Sequence, residues 1–285
     1  MRRVRRRPVQ ALRGGMDGLA AAFAVRTGSI EITILACRPC GAEDIGKAMA
    51  AARGLAAVDD DPSDFLAQVR AHPLASHLAG RFDCRIDRMA TVFEGFARAV
   101  IEQLVTTFEA RAAIRRLFWQ AGEQLEGTDL RAPPTPHAVL GVPPWRLHMM
   151  GIGSRRSRTL REGARHGAAL ERLRDVAPEL ATVKMQSLPG VGPWTANLVA
   201  RTALGWSDAV PVGDLHAPYI ISEALTGEQG GDDAMLEALL PFRPHRARVV
   251  ELVMQAAFAD ALPGVSWLRR PRPRVDPHRR EPWRY

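Results

Sequence analysis

At 285 residues, 46% of them hydrophobic, the chain can build one large domain or two smaller ones with an ample core. No apolar run approaches the ~20 residues of a membrane span, and the basic N-terminus lacks the apolar stretch and cleavage site of a signal peptide, so a cytoplasmic chain without a membrane partner is expected. A net charge of +8 and a pI near 10.5 favour a polyanionic partner, which concerns association and not fold.

In chain order, residues 1–15 are Arg-rich, with no acidic residue before Asp17. They read as a disordered basic tail, with an ordered phosphate-binding arm as the alternative. Residues 21–36 place Gly28 and Ser29 between partly alternating apolar runs, which predicts a hairpin. A helical run over 42–57 follows, so 16–70 is expected to be a small α+β domain. Cys37 and Cys40 stand two residues apart between a predicted strand and helix, the setting of a redox pair. Too little chain remains there for a thioredoxin fold, and His72 and His77 lie too far along for a usual zinc spacing. Packing or chance is therefore the simpler reading of the pair. With Cys84 as the third cysteine, no disulfide framework is available.

From Asp59 the pattern turns helical, and 71–262 is expected to form a helical domain. The acidic run at 59–61 stands before apolar residues, as a helix start should. Residues 93–122 are strongly amphipathic: Phe93, Phe96, Ala97, Val100, Ile101 and Leu104 recur at helical spacing and read as core. A break between two helices is expected at 102–105. Residues 134–164 read as short helices split by Pro and Gly. Arg155, Arg156 and Arg158 there suit either phosphate contacts or a solvated helix start. His166, Glu171, Arg172, Arg174 and Asp175 read as an exposed face.

The most informative stretch is 188–214, LPGVGPWTANLVARTALGWSDAVPVGD. Gly190 and Gly192 make a tight turn, and Pro193 opens a helix predicted over about 193–204. The bare turn and the unpaired N–H groups of the helix start can receive a phosphate. Asp214 lies 22 residues beyond Gly192, at the start of another helical run. Residues 215–225 and 233–240 also read as helices, and 241–248 leads into a final apolar helix. Residues 263–285, rich in Pro and Arg, read as an extended or disordered tail.

LPGVGPWTA followed at this distance by GD resembles the helix-hairpin-helix DNA glycosylase superfamily, and within it the bacterial 3-methyladenine DNA glycosylase II type. The resemblance covers about 60–262 and is most specific at 188–214. It implies a mainly α fold, the helix-hairpin-helix glycosylase fold, with a small N-terminal α+β domain. It also implies a monomeric enzyme that flips an alkylated purine out of damaged double-stranded DNA and hydrolyses its N-glycosidic bond, leaving an abasic site. On this likeness Asp214 is catalytic, and Trp194, Leu198 and Met254 line the base pocket. Gln103, Leu104, Leu188, Gly190, Val191, Gly192 and Thr195 meet DNA, with Leu104 as the wedge that fills the space of the extruded nucleotide. The carbonyls of Leu188 and Val191 would hold K⁺ or Na⁺. No four-cysteine cluster stands near the C-terminus, so no iron–sulfur cluster is expected. Relatives that also cleave the strand carry a lysine two residues after the hairpin's last glycine, where this chain has Trp194.

Each assignment has a plainer counterpart. Asp is among the best N-cap residues, worth about 1 kcal/mol to a helix, so Asp214 suits a cap as well as an anion that stabilises positive charge on the sugar. Leu104 and Trp194 suit a core, and Gln103 suits a helix end. Leu198 and Met254 stand where the family's pocket has further aromatics, which leaves open another lesion, deaminated or oxidised, or an inert DNA-binding protein.

Overall fold

The computed structural model describes residues 10–13, 20–26, 29–31, 41–125, 128–262 and 265. Strands β1 (Gln10–Arg13), β2 (Ala20–Arg26) and β3 (Ser29–Glu31) form an antiparallel sheet in that order. Gln10 lies opposite Phe23, and Val25 opposite Ile30. The hairpin expected around Gly28 and Ser29 is therefore present. Of the 1–15 segment expected to be disordered, residues 10–13 pair with β2 as β1, and the rest lies outside the described residues. The reading of Cys37 and Cys40 falls outside the described residues, as does that of 266–285.

Helix α1 (Ala42–Leu55) packs on β1 and β2; Glu43 and Asp44 in its first turn and Arg53 in its last suit the helix dipole. It is followed by α2 (Ser63–Gln68), which ends in a 3₁₀ turn, and α3 (Pro73–Arg81), capped by the His72 ring. The long amphipathic stretch divides, as expected, into α4 (Val92–Glu102) and α5 (Thr107–Ala121). The division has a local cause: Thr106 and Glu109 form a capping box that starts a new helix. Short helices α6 (Pro136–Gly141), α7 (Pro144–Met149), α8 (Ser154–Arg165), α9 (Gly167–Glu171) and α10 (Pro178–Met185) come next. Helix α11 (Pro193–Val199) continues as a π-helical turn over Ala200–Leu204 and stops at Gly205. Last come α12 (Ala217–Thr226), α13 (Asp232–Leu239) and α14 (Arg246–Phe258).

These helices enclose two apolar cores. Phe93, Phe96, Ile101, Leu117, Leu147 and Leu160 belong to one, built on α4 to α11. Phe65, Leu78, Ile220, Ile221, Leu239 and Leu252 belong to the other, built on α2, α3 and α12 to α14. Each fully buried side chain of this size contributes about 1.5–3 kcal/mol. The second lobe thus combines chain from before α4 and after α11, and the first lobe is inserted into it. Phe65 and Val69, essentially inaccessible in the second core, move the domain boundary from residue 70 to before Ser63. Leu262 and Val265 close the same core.

Buried ion pairs hold the second lobe to its neighbours. Arg246 grips Asp208 through two bonds, Nε to Oδ1 at 2.8 Å and Nη2 to Oδ2 at 2.7 Å. Arg248 grips Asp60 at 2.6 and 2.8 Å and also donates to the Cys84 carbonyl. The exposed face expected around 166–175 is corrected at Glu171. Glu171 accepts from the Val92 and Phe93 N–H groups at 3.1 and 2.9 Å, capping α4 from a distant part of the chain. Arg174 is exposed as expected, while also donating to the carbonyls of Met89 and Ala90. His166, Arg172 and Asp175 are exposed as expected.

Candidate active site and nucleic-acid interface

The hairpin runs from Leu188 to Gly192, closed by a bond from the Val191 N–H to the Leu188 carbonyl at 3.1 Å. Gly190 is required twice. Its φ of +85° is the left-handed region that side chains disfavour, and a Cβ there would lie 2.1 Å from Thr159 Oγ1. Gly192 caps α11 in extended conformation, and a Cβ there would meet nothing within 4 Å. The hairpin backbone at Gly192 therefore faces open space, beside a helix start whose first N–H groups lack intrahelical partners.

Gln103 ends α4, and its amide nitrogen donates to the Gly190 carbonyl at 3.0 Å and to Thr195 Oγ1 at 2.8 Å. Both amide hydrogens are thereby used. Thr195 is buried, and its hydroxyl and the Gln103 amide tie the α4–α5 loop to the hairpin. Leu104, next in the loop, is 87% exposed with a φ of +53°. The core reading of Leu104 is thus excluded. Behind the loop, Arg156 donates to the Ile101 carbonyl at 2.7 Å and to that of Gly151 at 2.9 Å. Burial pulls its pKa below the ordinary guanidinium value. Arg156 therefore leaves the expected phosphate-contact set, whereas Arg155 and Arg158 are exposed.

Asp214 stands in the segment that carries the chain from the first lobe to the second. Its Oδ1 accepts from the N–H groups of His216 and Ala217 at 2.8 and 2.9 Å, and its Oδ2 accepts from Trp194 Nε1 at 2.8 Å. The cap and the site thus coexist: one oxygen starts α12, and the other joins the first turn of α11. The preceding Gly213, at a φ of +86°, donates to both oxygens of Asp232 at 2.9 and 3.1 Å. Asp232 was not singled out from the sequence, where an acidic residue in a first turn signals only a helix start.

Trp194, Leu198 and Met254 are half-buried. Leu198 packs against the first core and Met254 against the second. Ala247 donates to the Ser207 carbonyl, and Arg201 Nη1 lies 3.6 Å from Glu251 Oε2, so α14 lies beside the π-helical turn after α11 and the segment that follows it. Trp194, Leu198 and Arg201 follow one helical face. Glu102 lies within electrostatic reach of Arg98, Arg111 and Arg201, and burial nevertheless pushes its pKa above the usual carboxylate value. Arg201, Glu251 and Glu102 carry no local sequence signal, because only the fold brings them together. A separate cavity of about 220 Å³, lined by Gly54, Asp60, Arg88 and Gly205, lies away from Asp214.

Two helical lobes, a glycine hairpin tied to a loop with an exposed leucine, and a capped carboxylate between the lobes match the helix-hairpin-helix glycosylase fold. The 3-methyladenine DNA glycosylase from Archaeoglobus fulgidus shares this fold, with a TM-score of 0.74, 23% identity, and coverage of 88% of this chain and 87% of that one. No protein-family model matches the chain. It is 31% identical over 156 residues to the DNA-3-methyladenine glycosylase 2 of Escherichia coli, which covers 52% of each protein. Over 178 residues it is 29% identical to the "probable bifunctional transcriptional activator/DNA repair enzyme AlkA" of Mycobacterium tuberculosis, covering 60% of this chain and 35% of that protein. The matches thus span between about a third and a half of these curated relatives. The chain thus shares the helix-hairpin-helix glycosylase fold, and the sequence relatives it matches are of the 3-methyladenine glycosylase 2 type.

Among the described residues no helix is long and apolar enough to cross a membrane.

Proposed function

We propose that this chain is a monofunctional DNA glycosylase of base excision repair, which hydrolyses the N-glycosidic bond of a flipped alkylated purine and leaves an abasic site. The observation that carries the reading is the Asp214 carboxylate, oriented by two backbone N–H groups and the Trp194 indole beside the cleft. Breaking the bond builds positive charge on the sugar, and a fixed carboxylate stabilises that charge without reorganising during the reaction. A cationic alkylated purine is already a good leaving group, so the chemistry demands little beyond this anion. The Trp194 ring supplies a π-face for a cationic base, while its N–H is held by Asp214.

Substrate DNA would be gripped by the hairpin. The open backbone at Gly192 and the start of α11 suit a phosphate, and Leu104 suits the wedge. The carbonyls of Leu188 and Val191 fit a monovalent cation shared with that phosphate. Leu188 uses one lone pair within the hairpin and retains the other. With Trp194 in place of an amine, a Schiff base cannot form at that position, which supports simple hydrolysis. We place the enzyme on DNA as a monomer.

A second reading within the class, a neutral deaminated or oxidised base, draws on the charged groups Arg201, Glu251 and Glu102 near Leu198 and Met254, which suit hydrogen bonding to a base edge. The test is base release from methylated duplex DNA by the native protein and by Asp214→Asn, with binding to an abasic-site analogue followed in parallel. Release of methylated purines by the native protein alone, with binding by both, supports the proposal. Binding without release by either protein, on methylated and then on deaminated or oxidised duplexes, overturns it.

A further inference from the structure

Among the described residues, the two most exposed large hydrophobic side chains are Leu104, at 87%, and Phe108, at 81%. They stand four positions apart, on either side of the turn that starts α5. Single exposed hydrophobics are ordinary, but two at the extreme of exposure in one short segment mark a surface that meets something. The segment is also rigid. The capping box of Thr106 and Glu109 encloses Phe108, and Gln103 pins the other end of the loop to the hairpin. Arg111 and Arg115 follow Phe108 at helical spacing and are exposed, so the aromatic ring leads a basic face. An aromatic ring interleaved with arginines, continuous with the hairpin, is complementary to nucleic acid and ill-suited to an apolar protein partner.

We propose that Phe108 is a second base-contacting residue, whose ring stacks on the base left unpaired opposite the flipped nucleotide while Leu104 fills the gap. This rests on the glycosylase reading above. Flipping removes the partner of that base and leaves its neighbours less well stacked, so an aromatic face held one loop away from the wedge has a ready surface to cover. The assignment makes the protein responsive to the opposite base.

The test uses the full chain and a duplex carrying an abasic analogue opposite 2-aminopurine. Four proteins are compared: native, Phe108→Ala, Phe108→Tyr and Leu104→Ala. The native protein should prefer abasic over undamaged duplex and quench the 2-aminopurine. Phe108→Ala should lose the quenching and bind abasic duplex about tenfold more weakly. Its affinity for undamaged duplex and its melting temperature should be unchanged, and Phe108→Tyr should restore both signals. Native-like affinity and quenching in Phe108→Ala would overturn the proposal. Quenching lost only in Leu104→Ala would do so as well, by giving the contact to the wedge. A native protein with no preference for abasic duplex would instead refute the glycosylase reading, and the Phe108 assignment with it.

Discussion

Trp194 Nε1 donates to Asp214 Oδ2 at 2.8 Å, so the hairpin helix and the segment entering α12 are joined through the carboxylate itself. Asp214→Asn keeps an oxygen for the His216 and Ala217 N–H groups, and the fold should survive. The negative charge is lost, and base release should fall by about 10²–10³ or more while binding to an abasic analogue persists. Trp194→Phe keeps a ring and removes the donor. A bond to a charged group is worth about 1.5–3 kcal/mol, so release should slow about ten- to a hundredfold. Single-turnover kinetics on one methylated duplex would measure both.

The two hairpin glycines should respond differently to alanine. At Gly190 the left-handed backbone alone costs about 1–2 kcal/mol, and the contact with Thr159 Oγ1 adds to it. Gly190→Ala should lower the melting temperature and weaken binding to abasic duplex. Gly192→Ala meets open space at an ordinary φ and should shift stability by no more than about 0.5 kcal/mol. Equal melting temperatures for the two variants would contradict this account of the turn.

The Arg246–Asp208 pair should be a stability determinant well away from the chemistry. Both side chains are about 11% exposed and doubly hydrogen-bonded. Arg246→Ala leaves a carboxylate with Arg243 as its remaining ionic neighbour at 3.9 Å and should cost about 3–5 kcal/mol in urea unfolding. Replacing both members by apolar residues should cost less than the single change.

Glu102 sets a pH dependence. Burial raises its pKa in the folded protein above the unfolded value, despite Arg98, Arg201 and Arg111. Its contribution is therefore fully present below the ordinary carboxylate pKa and is lost as pH rises through the folded value. Glu102→Gln should accordingly stabilise the protein near neutral pH relative to the native chain. The difference should shrink on acidification below the usual carboxylate range, as melting curves across that range would show.

The helices were legible from periodicity and caps, because hydrophobic spacing and N-cap chemistry are local properties of the chain. So was the break at 102–105, where the capping box of Thr106 and Glu109 is written within four residues. The hairpin glycines and the spacing to Asp214 were legible for the same reason. The sheet was legible only in part, since the hairpin partner of β3 was visible and β1, lying in an Arg-rich run, was not.

Tertiary structure decided what each polar side chain does. Gln103 finds its partners 87 and 92 residues away, so nothing nearby could show that it binds the hairpin. Glu171 looks like part of a solvated face until α4 is brought against it, and Arg201 meets Glu251 only when α14 comes beside the π-helical turn after α11. Leu104 continues the apolar spacing of α4, and only its left-handed φ turns it out of the core and into solvent. The sequence by itself determined the hairpin and the carboxylate, because these depend on residues close together along the chain. The cleft, its charged lining and the exposed loop depend on distant segments meeting, since a polar group's partner is set by what the packed backbone brings within a few ångströms.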